Sequence, residues 1–301
     1  MKRSIIVTAL LIGSLVTVPG AHAAKALKKT VAVFDFSNDS GFSSSVTLGQ
    51  DFSMQLSDAL IQSGEFIVLS RKDLDVVMAE QDLAQSDRFA KSDSAKIGKL
   101  IPAQILIKGQ ITEFEENTSG GGQGLNVKGF SIGGQKSSAH MAVIIQLIDS
   151  TTGEILDSKR VEGEAKAGGL SLGYSGSFDI NSSNFAKTPL GKAVQMAIDR
   201  AVVYIAEKMA SIPWKGKVVT VKDGVVFVNA GTNSGIAVGD KLVVYKEGES
   251  LIDPDTGIDL GSDTKKIADI SITEVQEKFS KTDILGNDSE SIERGDLVLE
   301  K

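Results

Sequence analysis

The stretch that decides the fold runs Met141-Ala142-Val143-Ile144-Ile145-Gln146-Leu147-Ile148, Asp149-Ser150-Thr151-Thr152-Gly153, Glu154-Ile155-Leu156-Asp157-Ser158-Lys159-Arg160-Val161. Two strand-like runs flank a Thr-Gly turn, the signature of a β-hairpin. Upstream, Thr30-Val31-Ala32-Val33-Phe34-Asp35-Phe36 is a continuous apolar run and reads as a buried strand, broken by Asn38-Asp39-Ser40-Gly41. Leu48–Ile61 is expected to be a helix with Phe52, Met54, Leu56, Leu60 and Ile61 inward and Gly64 as its stop. Phe66–Leu69 is a short strand. Leu74–Gln81 is a second helix with Leu74, Val77 and Met78 inward, and a third begins at Ser92 or Asp93 and runs to Lys99. Ala103–Gly109 is a further strand. Downstream, Pro189 opens the longest helix, to about Ser211, with Ala193, Val194, Ala197, Ala201, Ile205 and Met209 as its apolar stripe. The order predicts an α/β or α+β layer, with helices packed on a sheet.

After Ile212-Pro213-Trp214-Lys215-Gly216 the pattern changes. Short strands are expected at 217–222, 225–229, 241–246, 268–275, 281–285 and 297–299, separated by glycine-bearing turns. That spacing predicts a small all-β barrel or sandwich over residues 216–301.

The chain has 301 residues, enough for about two domains, no Cys and two His. No disulfide, thiolate metal site, Cys nucleophile or Cys-borne lipid is available. Lys2 and Arg3, the apolar Ile5–Val18 and Ala21-His22-Ala23 form a secretory signal peptide, with cleavage after Ala23. The alternative is a single membrane anchor, for which the stretch is short. Losing Lys2 and Arg3 with the leader takes the formal charge from −7 to −9. An acidic chain without a basic run excludes nucleic acid as a partner. Residues 24–215 would form the α/β domain.

Two Gly/Ser-rich insertions, about Glu115–Ala139 and Ala165–Lys187, do not suit a compact domain. In the second, Leu170, Leu172, Tyr174, Phe178 and Ile180 alternate with small polar residues. The first carries Leu125 and Val127, a one-residue shift at Gly129, then Phe130 and Ile132. One reading makes each insertion a hairpin of a transmembrane β-barrel, these nine residues facing lipid. Four strands cannot close a barrel with a lumen, so that reading requires a ring of subunits. The other reading is a pair of flexible or edge hairpins on a soluble protein.

Other sharp readings yield to plainer ones. Asp253-Pro254-Asp255-Thr256-Gly257 lacks the following ligands of a Ca²⁺ loop and reads as a turn. Ser119–Gly122 is not followed by the Lys of a phosphate-binding loop. His140 has no evident partner, Arg71 and Asp73 read as a helix-start cluster, and Trp214 reads as an interdomain or sheet anchor. The chain is therefore read as no enzyme, with no cofactor and no metal.

The segment order resembles the curli secretion channel family, CsgG. The likeness is carried by Val31–Phe36 with its turn, Phe66–Arg71, Ala103–Gly109 and, above all, Val143–Leu156, and it covers about residues 28–212. It implies a periplasmic α/β domain that forms a homo-oligomeric ring. Two hairpins per subunit would close one outer-membrane barrel, through which a secreted polypeptide diffuses without a nucleotide. Periplasmic or extracellular accessory proteins and outer-membrane lipid would be its other partners. The constriction loop would fall at about Gly41–Leu48, with Phe42, Ser43, Ser44 and Ser45. Residues 216–301 resemble the C-terminal domain of the flagellar T-ring protein family, FlgT, through Gly231–Gly235, Val238-Gly239-Asp240, Leu251–Gly257 and Gly295-Asp296. Curli-type channels carry a lipid on an N-terminal Cys, which this chain lacks, and they lack the extra domain. Those departures favour the alternative, a soluble periplasmic scaffold in envelope or surface-appendage assembly.

Overall fold

The apolar run at the start of the chain is a strand covered on both faces. In a computed structural model, which describes residues 27–42, 47–84, 101–119, 125–127, 130–132, 136–167, 185–255, 257, 259–286 and 292–301, it forms β1 (Lys29–Val33). Val31 and Ala32 are wholly buried, which is why the run does not alternate. β2 (Ser37–Asn38) is a two-residue continuation, and between them Phe36 turns inward.

α1 (Leu48–Ser63) buries Phe52, Leu56 and Leu60, and Gly64 ends it in the left-handed conformation at φ 70°. Met54 and Ile61 were expected inward, but they are 53% and 58% exposed. The i, i+4, i+8 stripe occupies the buried face, and those two lie outside it. β3 (Phe66–Leu69) follows, then α2 (Leu74–Ala84). Val77 and Met78, expected inward, are exposed, because α2 packs closely against no other helix or strand among the described residues. The helix expected at 92–99 lies outside the described residues.

β4 (Ile105–Ser119) is much longer than the expected 103–109 run. β5 (Leu125–Val127) and β6 (Phe130–Ile132) form a separate two-stranded sheet. β7 (Lys136–Asp149) and β8 (Ile155–Ala167) are the expected hairpin. At its turn the Asp149 carboxylate accepts from the backbone N–H groups of Thr151 and Thr152, and Gly153 takes φ 76°. α3 (Pro189–Ser211) matches its expected span. The Thr188 hydroxyl accepts from the Gly191 N–H at its N-cap, Pro189 opens it, and all six expected stripe residues are buried. The sheet order is β3-β1-β4-β7-β8, with β1 parallel to β3 and β4, and β7 antiparallel to both β4 and β8. α1 and α3 share one core with this sheet.

The C-terminal part is a closed six-stranded barrel rather than a sandwich. It comprises β9 (Lys215–Lys222), β10 (Val225–Val228), β11 (Lys241–Ile252), β12 (Asp259–Val275), β13 (Ser280–Leu285) and β14 (Leu297–Glu300). Closure leaves no free edge among the barrel rungs. β11 and β12 were expected to be short. They run on as a two-stranded ribbon past the last barrel rung, with register shifts at Glu247/Ser250 and Ser250/Ile252. Trp214 lies in this barrel's core, and so does Leu27 from the other end of the chain. The Leu27 N–H donates to the Glu300 carboxylate at 2.7 Å, and the Lys28 N–H donates to the Ser234 carbonyl at 2.8 Å.

Candidate functional site

The three antiparallel strands act as one platform for both insertions. The β4–β7 ladder holds to its last rung, Ser119 opposite Lys136. The β7–β8 ladder begins one residue on, with Ser137 opposite Ala167. Both insertions therefore leave the sheet at one end, from neighbouring strands. The barrel is attached at the other end, where the Gln104 side chain, next to the first residue of β4, donates to the Lys215 carbonyl at 3.2 Å.

β5 and β6 pair Leu125 with Ile132 and Val127 with Phe130. This register is offset by two residues from the ladder beneath it. The four apolar positions of the first insertion thus form two cross-strand pairs, and the apparent shift at Gly129 falls between the strands. Leu170, Leu172, Tyr174, Phe178 and Ile180 lie outside the described residues, as do Ser43, Ser44 and Ser45. Phe42 is described: its ring meets Phe114 edge-on at 4.9 Å, packed against the main core.

Phe114, Met141 and Val161 point into the core, so their neighbours in the alternation face solvent. There Glu113 of β4, His140 of β7 and Arg160 of β8 meet. Arg160 Nη2 lies 2.6 Å from Glu113 Oε1, His140 Nε2 2.9 Å from Glu113 Oε2, and Arg160 Nε 2.8 Å from Glu162. His140 therefore has a partner, which the spacing along the chain did not show. The Arg160 hydrogen bond holds the Glu113 carboxyl below its ordinary 4.5, with His140 adding to it, and the two glutamates raise Arg160 in turn. The cluster ties three strands together a few residues below both exits. Glu113 has its pKa depressed on folding, so its contribution to stability is complete above pH 4.5 and is lost as pH falls through the folded value. We expect Glu113→Gln to melt below the native chain at pH 7. The gap should close on acidification below 4.5 in paired thermal melts, and a gap that stays constant with pH would refute the tie.

Elsewhere, Asp253–Gly257 is a turn: the Gly257 N–H donates to the Asp253 carbonyl and the Asp255 N–H to the Asp253 carboxylate. Asp73 bonds Ser70 at the start of α2, and Arg71 donates to the Ile101 carbonyl. Among the described residues no helix is long and apolar enough to cross a membrane, which says nothing of strands.

The family model for "Curli production assembly/transport component CsgG" matches residues 18–238. The chain belongs to the CsgG family. Among curated CsgG relatives, those of Salmonella typhimurium and Salmonella typhi are each 29% identical over 123 residues, 40% of this chain. The chain thus spans 44% of the length of these relatives. A second model, the C-terminal domain of flagellar assembly protein T, matches residues 223–300. Among solved structures, the hypothetical protein CT253 from Chlamydia trachomatis is 17% identical and covers 62% of this chain and 99% of its own, with a TM-score of 0.39. The CsgG match covers the whole platform and both insertions; the flagellar match covers most of the barrel. The CsgG family is one of transport components, and the cluster at Glu113 has the character of a structural tie.

Proposed function

We propose that this CsgG-family chain is a ring-forming component of an outer-membrane secretion channel. Polypeptide, a curli-like or other fibre subunit, would cross by diffusion without a nucleotide. The observation that carries this reading is the exit of both insertions, side by side, from one end of a three-stranded ladder. Two hairpins leaving neighbouring strands can continue into a shared barrel wall without the chain crossing itself. A membrane-crossing strand needs about 9–11 residues. Each insertion, with the strand ends that lead into it, has that length twice over. On this reading residues 1–23 are a removed signal peptide. Leu125, Val127, Phe130, Ile132, Leu170, Leu172, Tyr174, Phe178 and Ile180 face lipid, and Phe42 with Ser43, Ser44 and Ser45 borders the constriction. Residues 216–301 form a separate periplasmic domain at the end of the subunit remote from the membrane.

A second reading, a soluble periplasmic scaffold for a surface appendage, is favoured by the flagellar-assembly match of the barrel and by the absence of Cys. One experiment separates the two. The mature protein and a Leu172→Asp, Tyr174→Asp variant are fractionated and tested for single-channel conductance. Acids on a lipid face oppose insertion. The channel reading expects the native chain to enter the outer-membrane fraction and conduct, and the variant to do neither. If both stay soluble and equally folded, the scaffold reading replaces it.

A further inference from the structure

The alternation along β4, β7 and β8 gives the two faces of the platform different surroundings. Phe114, Met141, Val161 and Ala165 are buried in the core shared with α1 and α3. Glu113, Glu115, His140, Glu162 and Glu164 stand next to these along the strands and point the other way. The apolar positions of the insertions keep count with this second set. Leu125 and Val127 stand an even number of residues from Glu115, and Phe130 and Ile132 an even number from His140. The register of β5 with β6 preserves the count on both strands: Leu125 lies six residues past Ser119, and its partner Ile132 four before Lys136, the last rung of the ladder. On the run leaving β8, Leu170, Leu172 and Tyr174 likewise stand an even number of residues from Glu164.

We infer that the layer of α1 and α3 faces the axis of the ring and forms the wall that the passing polypeptide meets below the barrel. This rests on the channel reading above and fixes which way each subunit is turned. In a barrel wall one face of every strand meets lipid and the other the lumen. With the named apolar residues on lipid, the face that bears Glu113, His140 and Glu162 is turned away from the axis, and the helix-covered face is turned toward it. A second observation agrees. The loop assigned to the constriction leaves the sheet on the helical side: Phe42 packs on Phe114, and Leu48, which opens α1, lies in the same core. A constriction is useful only on the axis side. The surface so presented is a groove of about 450 Å³ between Met54, Gln55, Asp58 and Gln62 of α1 and Gln195 and Ile198 of α3. No Lys or Arg lines it. The Gln62 amide donates to Asp58 and the Gln195 amide to Asp199. Polar groups already paired gain little from a new partner, so a polypeptide touching this wall is not retained by it.

The chain has no Cys, so one introduced thiol is unique. Asp58→Cys and Gln195→Cys place it on the helical wall, and Lys108→Cys and Glu164→Cys on the opposite face, all four at exposed positions. Two variants on each face keep the comparison intact should one fail the circular dichroism check of its fold. Each full mature chain is reconstituted in planar bilayers, and single-channel current is recorded before and after reaction with a bulky polyethylene glycol maleimide, a gel shift reporting the labelling. Labelling of Asp58→Cys or Gln195→Cys is expected to cut the current at least twofold. Labelling of Lys108→Cys or Glu164→Cys is expected to leave it unchanged. The reverse pattern, or the same effect on both faces, overturns this orientation while the channel reading stands. A native chain that passes no current overturns the channel reading and the orientation with it.

Discussion

A Gly163→Ala chain is expected to melt about 10 °C below the native protein. Gly163 lies in β8 where α3 crosses it, and a Cβ there would sit 1.8 Å from the Ala193 carbonyl oxygen and 2.9 Å from the Ala197 nitrogen. Both neighbours are backbone, so no rotamer change relieves the clash; the helix itself must move. Ala193, Ala197 and Ala201 are wholly buried, so the helix approaches the sheet through its smallest residues. Lifting it also loosens Ile198 and Ile205, both in the same core. Overpacking typically costs about 1–3 kcal/mol and more where backbone is displaced, which places this change at about 3 kcal/mol. At roughly 2–4 °C per kcal/mol for a chain of this size, the shift is about 10 °C. Differential scanning calorimetry checks it, and a melting point within 2–3 °C of native, less than about 1 kcal/mol, would show that the helix and strand are further apart than described.

Trp214→Ala is expected to cost about 3–5 kcal/mol, the usual range for emptying a buried aromatic site, and to act on the barrel first. Trp214 is 4% exposed and belongs to the barrel core, and Gly216 leaves room for its ring: a Cβ there would lie 2.1 Å from the indole. Trp214 is the sole tryptophan, so indole fluorescence in the native chain reports barrel unfolding in denaturant directly. In the variant, far-UV circular dichroism should show an early β transition while the helices of the α/β domain persist. A single transition at the native midpoint would show that the indole is not a core residue.

Much of this architecture was legible because periodicity and turn chemistry agreed. Asp149-Ser150-Thr151-Thr152-Gly153 has a side chain that closes the turn and a glycine where φ is positive, which marks a hairpin in the sequence itself. The Thr188-Pro189 start and the stripe to Met209 gave α3. The six barrel strands were each marked by a glycine-bearing turn or a β-branched run. Misses came where tertiary context overrode pattern. Val77 and Met78 look like core residues, yet no described helix or strand packs closely on α2. Met54 and Ile61 are apolar but lie outside the buried stripe of α1, which passes through Phe52, Leu56 and Leu60. β4 runs past the expected 103–109; its continuation, Gln110–Asn117, is polar on the solvent side and carries a register shift between Ile111 and Glu113. The cluster of Glu113, His140 and Arg160 had no sequence signal, since only strand register brings such distant residues together. The ribbon of β11 and β12 goes beyond the strands expected at 241–246 and 268–275, and Asp253–Gly257, which reads as a turn, is its tip.

The seat of Leu27 in the barrel has a consequence for the order in which the molecule is finished. Leu27 is the first described residue, and Glu300, which holds its N–H, lies 273 residues further on, in β14. A chain synthesised from its N-terminus carries Leu27 unseated until β14 has been made. The α/β layer can gather its own core beforehand, whereas the barrel closes last, with Leu27 and β14 locking one another. Completion of the fold is thereby tied to the making of β14: a product truncated before it lacks the strand that joins β11 to β9 and the carboxylate that receives Leu27, and is left with an open barrel and exposed edges.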